Sequence, residues 1–329
     1  MTRALALVSG GLDSILAAKL IKNQDIEVIG ICFVSAFFTH EHAVKMAEQI
    51  DIPLKVVDFS EEHFKMLKKP KHGYGKNMNP CIDCHAMMMS YTGRLLKELE
   101  ADFIVTGEVL NQRPMSQTRS SLDIVKKESG FEDFILRPLC AKNLPPTKME
   151  LEGLVDREQL LDISGRSRKR QMELAEKWGI IDYPSPAGGC KLTEPGFSGR
   201  LRDLLNDNKD CSFGDVEILN YGRHFRIRDG IKIISTRDQE EGKAIAPLIK
   251  KDDYIFEPLN YSGSTIILQG EPSNDDIRVA AEICARYSKE RDEKQASVKY
   301  RRASDKNYNI IEVKPAKDSE IDRYLIVQR

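Results

Sequence analysis

Apolar residues along the first hundred positions switch between two periods, and the switches mark elements. Residues 4–8 form a short continuous apolar run, and residues 27–34 and 54–59 are rich in β-branched side chains, as buried strands are. Residues 12–21 and 40–50 instead carry apolar side chains at helical spacing, and so do residues 84–99. Residues 102–107 (Asp-Phe-Ile-Val-Thr-Gly) predict a short strand ending in a glycine. Strands separated by helical stretches predict a parallel sheet with crossover helices, whose ligands sit at the carboxyl ends of the strands. Gly10-Gly11 and Thr106-Gly107 both stand at such ends and are expected to face one pocket.

The pattern weakens after Leu139. Residues 143–147 (Asn-Leu-Pro-Pro-Thr) break it, helical segments follow to about Gly179, and residues 182–189 (Asp-Tyr-Pro-Ser-Pro-Ala-Gly-Gly) read as a linker that delivers Cys190. Beyond Ser212, short β-type runs at 225–227, 231–235, 254–256 and 265–268 precede a helix near 275–289. These shifts predict an α/β nucleotide-binding domain over 1–180, a linker over 181–211, and a smaller α+β domain over 212–329.

Composition narrows the class. The chain has 329 residues, 41% hydrophobic and 31% charged, enough for two packed cores. It has no apolar run of about 18 residues, so no membrane span is expected. Its apolar start runs straight into glycines and is too short for a signal-peptide core. With no secretion signal, the 7 cysteines suggest thiols kept for chemistry or metal in a cytoplasmic protein. A formal net charge of −1 argues against a general polycation but leaves room for local basic clusters. One holds Lys65, Lys68, Lys69, Lys71 and Lys76; a second, Arg166, Arg168, Lys169 and Arg170. A third, diluted by acids, holds Arg286, Lys289, Arg291, Lys294, Lys299, Arg301 and Arg302. Each taken alone also fits a solvated face.

Ser9-Gly10-Gly11-Leu12-Asp13-Ser14 follows the first strand and opens the first helix. Glycines let backbone N–H groups approach phosphate oxygens, and the helix N-terminus favours an anion. Asp13 repels phosphate, so it suits a metal-bridging (Mg2+) or positioning role. The loop is neither a Walker loop nor a dinucleotide fingerprint. It resembles the signature of the PP-loop ATP pyrophosphatases, which have a HUP-like fold, bind ATP, adenylate an oxygen and release pyrophosphate. Thr106-Gly107-Glu108-Val109-Leu110-Asn111-Gln112, with Ser116-Gln117-Thr118 and Leu136-Arg137-Pro138-Leu139, is similar to the tRNA 4-thiouridine synthetases. The resemblance implies nucleotide contacts at residues 9–14 and at Phe33, Thr106, Gly107 and Gln112. The N-terminal RNA-binding module and the rhodanese-like domain of those synthetases have no counterpart in the pattern.

Cys81 and Cys84 stand at i and i+3 in Asn79-Pro80-Cys81-Ile82-Asp83-Cys84-His85, at the start of a helix. The helix N-terminus and nearby lysines are expected to lower their thiol pKa values. Haem attachment, a redox pair and zinc completed by His85 or another cysteine are all compatible with the spacing. Adding Cys190, from Pro186-Ala187-Gly188-Gly189-Cys190, makes three thiols, which suit a 4Fe–4S cluster with one iron free of protein ligands. This set resembles the iron–sulfur tRNA thiolases; a cluster-free persulfide relay with Cys190 as resolving partner is the neighbouring possibility. Cys32, Cys140, Cys211 and Cys284 stand alone and read as core residues.

Tyr221-Gly222-Arg223-His224-Phe225-Arg226-Ile227 and the runs at 232–238 and 252–256 resemble the NFACT RNA-binding domain. Arg223, His224, Arg226, Arg228 and Arg237, interleaved with Tyr221 and Phe225, are expected to form a cationic, stacking face. Together the resemblances imply an ATP-dependent tRNA sulfurtransferase that adenylates a uridine and takes sulfur from a sulfide or sulfur-carrier donor, with Cys81, Cys84, Cys190 and Asp13 as catalytic residues. A PP-loop amide or amidine ligase, a sulfur-handling enzyme for a small molecule, and a nucleotide-sensing RNA-binding protein are the alternatives.

Overall fold

Strand and helix alternate through the first half of the chain as the apolar periods require. The computed structural model describes residues 2–185 and 189–326 and divides the chain into two units, Met1–Thr193 and Glu194–Arg329. The first runs β1 (Arg3–Leu7), α1 (Leu12–Lys22), β2 (Glu27–Val34), α2 (Glu41–Gln49), β3 (Leu54–Asp58) and α3 (Ser60–Lys68). It continues with α4 (Cys81–Glu98), β4 (Phe103–Val105), α5 (Arg119–Glu128), β5 (Ile135–Leu136), α6 (Lys148–Leu151) and α7 (Lys169–Lys177). The sheet order is β3-β2-β1-β4-β5, and every pairing is parallel. β1 lies at the centre, paired to β2 at Ala4–Val28 and to β4 at Ala4–Phe103. Its alternating side chains feed two cores. Ala4 and Ala6 pack with α1 and α2, whereas Leu5 packs with α4 and α5 through Met89 and Val125.

Part of the first basic cluster is helical. His63, Phe64 and Leu67 are buried on one face of α3, which leaves Lys65 and Lys69 exposed beside a loop carrying Lys71 and Lys76. The helix forms because these apolar side chains recur at helical spacing.

The second unit runs α8 (Pro195–Asp207), α9 (Phe213–Glu217), β6 (Arg223–Arg228), β7 (Ile231–Ser235), α10 (Gln239–Ile245) and β8 (Tyr254–Pro258). β9 (Ile266–Gln269), α11 (Asn274–Arg286), β10 (Ala296–Arg302), β11 (Asn309–Val313) and α12 (Asp318–Ile321) complete it. Its strands are antiparallel throughout, in the order β11-β10-β8-β9-β7-β6. One face packs on α11 through Ala281, Cys284, Phe256 and Val298. The stretch 181–211, read from the sequence as a linker, holds α8, started by Pro195 in its first turn.

α8 also changes the reading of β6. Arg226 makes two hydrogen bonds to Asp203 (3.0 and 2.7 Å) and an ion pair with Asp207 at 2.9 Å. Arg228 pairs with Asp276 at 2.8 Å and Arg237 with Glu241 at 2.7 Å. His224 and Phe225 are both 1% exposed. The expected cationic, aromatic face is therefore largely a network of ion pairs; Arg226 and Arg228 meet carboxylates distant in sequence and Arg237 one four residues on. Arg223 is the exception, lying over the Tyr287 ring at 5.0 Å. No helix among the described residues is long and apolar enough to cross a membrane.

His63 is an unusual core residue. It is fully buried, stacks on Phe59 (4.9 Å, 5°), meets Phe37 edge-on, and neither ring nitrogen has a hydrogen-bond partner. Burial lowers its pKa from 6.5 to about 4. The unfolded chain therefore takes up this proton first, and stability falls as pH drops from about 6.5 towards about 4, by about 3 kcal/mol at most. His63→Phe is expected to match or exceed wild-type stability at pH 7 and to lose this part of the acid sensitivity in urea unfolding at pH 7 and pH 5. Equal acid loss in both proteins would refute the assignment.

Candidate functional site

The glycine loop is braced from within. The Ser14 hydroxyl donates to the Gly11 carbonyl (2.8 Å) and accepts from the Ser9 N–H (3.3 Å). Gly11 is the N-cap of α1, and no side chain caps that end, which leaves it open to an anion. Gly10 has φ +81°, and a Cβ there would lie 2.7 Å from the His42 Cβ and 2.8 Å from the Ala43 nitrogen. Leu12 is 1% exposed and anchors the first turn of α1 in the core.

The second motif closes onto this turn. A Cβ on Gly107 would lie 2.5 Å from both the Ser14 nitrogen and Cα, so the two motifs meet backbone to backbone. Only glycine permits that approach. The contact puts Gly107 against the first turn of α1. Beyond it, the Asn111 N–H donates to the Gln117 carbonyl (2.7 Å), folding the motif back on itself, and Thr118 caps α5 by accepting from the Ser121 N–H.

Asp13 is held from one side only. Gln112 Nε2 donates to its Oδ2 (2.5 Å), and Gln171, fully buried, donates to Gln112 Oε1 (2.8 Å). Arg168 approaches the other oxygen, Oδ1, at 3.9 Å. That oxygen and Arg168 Nε are both buried without a hydrogen-bond partner. A carboxylate oxygen and a guanidinium N–H left open at the mouth of an anion-binding loop fit a divalent cation and a phosphate. Arg168 and Gln171 escaped the sequence reading. Arg168 was counted in a basic cluster at the start of a helix, and no local pattern links either residue to a loop more than a hundred positions earlier.

Glu108, next to Gly107, ties the cysteine helix to this region. Its Oε1 lies 2.8 Å from His85 Nδ1, and Arg137 Nε donates to its Oε2 at 2.8 Å. Burial opposes ionisation of Glu108, but the Arg137 charge and the hydrogen bonds from His85 and Arg137 outweigh it, lowering the pKa to about 2. The contacts thus run from Cys84-His85 through Glu108-Gly107 to Asp13-Ser14.

Burial pushes the Cys84 thiol well above its ordinary range, and Cys190, Cys81 and Asp83 nearby push it further. This corrects the expectation of lowered thiol pKa values at Cys84: desolvation and neighbouring sulfurs outweigh the helix N-terminus. Asn79 Nδ2 donates to Cys81 Sγ at 3.2 Å. The Lys191 N–H donates to the Phe37 carbonyl and Asn77 donates to the Thr193 carbonyl, fastening the segment after Cys190. Pro186, Ala187 and Gly188 lie outside the described residues. Among the described residues, no group of three or more His, Cys, Asp or Glu side chains is arranged to hold a metal as it stands. Thiols are the donor chemistry that an iron–sulfur cluster or zinc takes up. Cys32, Cys140, Cys211 and Cys284 are buried core residues. Phe33 is 5% exposed with its ring against Phe59 and Tyr91, so its side chain belongs to the core rather than to a ligand surface.

Residues 1–144 match the family described as thiamine biosynthesis protein (ThiI), and residues 222–325 match the NFACT protein RNA binding domain. A tRNA-specific 2-thiouridylase MnmA of Limosilactobacillus reuteri is 21% identical over 316 residues, covering 88% of this chain and 80% of that protein. A probable tRNA sulfurtransferase of Thermococcus kodakarensis is 32% identical over 169 residues, covering 49% of this chain and 40% of that protein. Among solved structures, a 4-thiouridine synthetase–RNA complex with bound ATP aligns with TM-score 0.35 and 19% identity, over 54% of this chain and 52% of that one.

Glu108→Gln is expected to destabilise the protein by about 3 kcal/mol or more at pH 7, because it leaves Arg137 buried without its counter-charge. A depressed carboxyl pKa stabilises the fold above its ordinary value of 4.5 and ceases to as pH falls through about 2, so the gap should narrow across that window. Urea unfolding measures both effects. A variant within about 1 kcal/mol of wild type at pH 7 would mean that this carboxylate does not hold the site together.

Proposed function

We propose that this protein is an ATP-dependent tRNA sulfurtransferase that adenylates a uridine and replaces its oxygen with sulfur. The observation that carries the reading is the run of contacts from Cys84-His85 through Glu108-Gly107 to Asp13-Ser14, which sets a thiol group beside an anion-binding loop. The names of the relatives support tRNA as the class of substrate.

Residues 9–14 bind the phosphates of ATP through loop N–H groups and the Ser9 and Ser14 hydroxyls. Asp13 would hold Mg2+ through its open Oδ1, and the ion when bound supplies charge neutralisation at the phosphates. Arg168 turns its open Nε to a phosphate oxygen and Gln112 keeps Asp13 oriented. A uridine oxygen attacks the α-phosphorus and pyrophosphate leaves, so that a poor leaving group becomes AMP. Hydrosulfide then adds at the ring carbon that bears this oxygen, the C–O bond breaks with AMP as the leaving group, and the sulfur loses its proton to solvent. Cys81, Cys84 and Cys190 would hold a 4Fe–4S cluster, which when bound supplies an iron free of protein ligands for a sulfide or other sulfur donor. The exposed Lys65, Lys69 and Lys76 suit the backbone of a tRNA whose target base is unpaired or flipped, whereas Lys71 is paired with Glu128 at 2.7 Å. A sulfur-handling role on a small molecule leaves these lysines and the second unit without a task.

Incubation with ATP, sulfide and tRNA lacking thiolated bases is expected to release AMP and pyrophosphate and to yield a thiouridine on nucleoside analysis. Asp13→Asn should slow this by about a hundredfold while the protein stays folded. AMP release that does not respond to tRNA would sink the RNA part of the reading. Anaerobically purified protein should be brown with about four irons per chain, and Cys81→Ala, Cys84→Ala or Cys190→Ala should each bleach it. A colourless protein holding one zinc would overturn the cluster.

A further inference from the structure

We infer that the open half of the second unit's sheet, formed by β8, β10 and β11, is a surface for single-stranded RNA, with Tyr308 as the platform for an unstacked base. The inference rests on the reading that this unit serves RNA. It moves the contact away from β6, where the arginines are taken up by carboxylates.

The pleat divides the side chains of these strands. Phe256, Val298 and Tyr300 point to the core under α11, so Lys299 and Arg301, one residue out of step, point to the opposite face. Lys299 is directly opposite Ile310 on β11, and Arg301 is opposite Ile255 on β8. Towards β7 and β9 this second face is closed, with Ile234 and Ile267 fully buried. At the β11 edge it is open, with Ile310 61% exposed and Tyr308 45% exposed.

Two cations attend the Tyr308 ring. Lys299 Nζ lies 5.0 Å and Arg301 Cζ 5.2 Å from its centroid. The Arg301 guanidinium is fixed in place by donating to the carbonyls of Arg302, Ala303 and Asp305 at 3.1, 2.9 and 2.8 Å. Ring and charge are thus set before any ligand arrives. Lys299 shares its charge with Glu257 at 3.1 Å. Lys306, exposed in the adjoining turn, has no ion-pair partner among the described residues, whereas Arg302, in step with Tyr300, points to the α11 side and donates to the Tyr254 hydroxyl at 2.9 Å.

An exposed aromatic ring with two cations against it, and Lys306 a few residues away, suits one class of ligand above others. A nucleobase stacks on the ring, and the phosphates of the same strand meet Lys306 and the cations beside the ring. A duplex hides its base faces in its own stack, so the favoured ligand is a loop or an unpaired end. A purely apolar protein contact would leave these charges desolvated and unpaired.

The test uses the full chain, with fluorescence anisotropy on an oligouridine of about 12 nucleotides and on bulk tRNA at two salt concentrations. Tyr308→Ala is expected to weaken oligouridine binding about 5- to 100-fold, the loss of one base stack. Tyr308→Trp should bind as well as wild type, and Arg223→Ala on the covered side of the sheet should change little. If wild type binds RNA in a salt-dependent way but Tyr308→Ala binds equally well, this surface is wrong and the RNA reading stands. If wild type binds neither RNA at low salt, the RNA reading itself fails. If the chain is a dimer that Ile310→Lys makes monomeric, a second copy covers this face and the inference is overturned.

Discussion

The carboxylate of Glu108, buried between the His85 imidazole and the Arg137 guanidinium, joins three stretches far apart in the chain: α4, the loop after β4, and the segment after β5. Each of the three groups would be costly to bury alone, and together they satisfy one another. The arrangement also sets orientation. Gly107 precedes Glu108 and touches the first turn of α1, while Cys84 precedes His85. A single ionised group therefore fixes how the cysteine-bearing helix stands beside the glycine loop.

Much of the first unit was legible because its information is local. β2 falls on the run 27–34, and α1, α2 and α4 fall within a few residues of the periodic stretches that predict them. Gly10-Gly11 and Thr106-Gly107 were legible as a facing pair because a parallel sheet puts strand ends on one side. The partners of Asp13 were not. Arg168 and Gln171 arrive from the region of α7, and nothing in their own neighbourhood distinguishes an arginine that reaches Asp13 from a solvated one. The chemistry of Cys84 was misread for a related reason: its helix position was visible, whereas the desolvation and the approach of Cys190 are tertiary facts.

The second unit shows the opposite failure. The arginines of β6 were visible as a cluster, but α8 lay in a stretch that reads as a Pro- and Gly-rich linker. Asp203 and Asp207 on that helix convert a row of positive charge into internal ion pairs. β10 and β11 went unread because their lysines and arginines resemble a solvated charge run. Lys299 and Arg301 were visible only as part of a third basic cluster, and nothing local set the exposed Tyr308 beside them.

Cys81 and Cys84 share one turn of α4, but Cys190 joins them from roughly a hundred residues further on, a lag of about 5–20 s at ordinary ribosomal speed. During that interval the nascent chain presents a vicinal dithiol with no third sulfur to complete it. Oxidation to an internal disulfide is then open to it, and the later segment would dock on a pair no longer able to act as ligands. Under the proposed cluster, the order in which the sulfurs leave the ribosome makes its assembly sensitive to the redox state of the compartment where the chain is made.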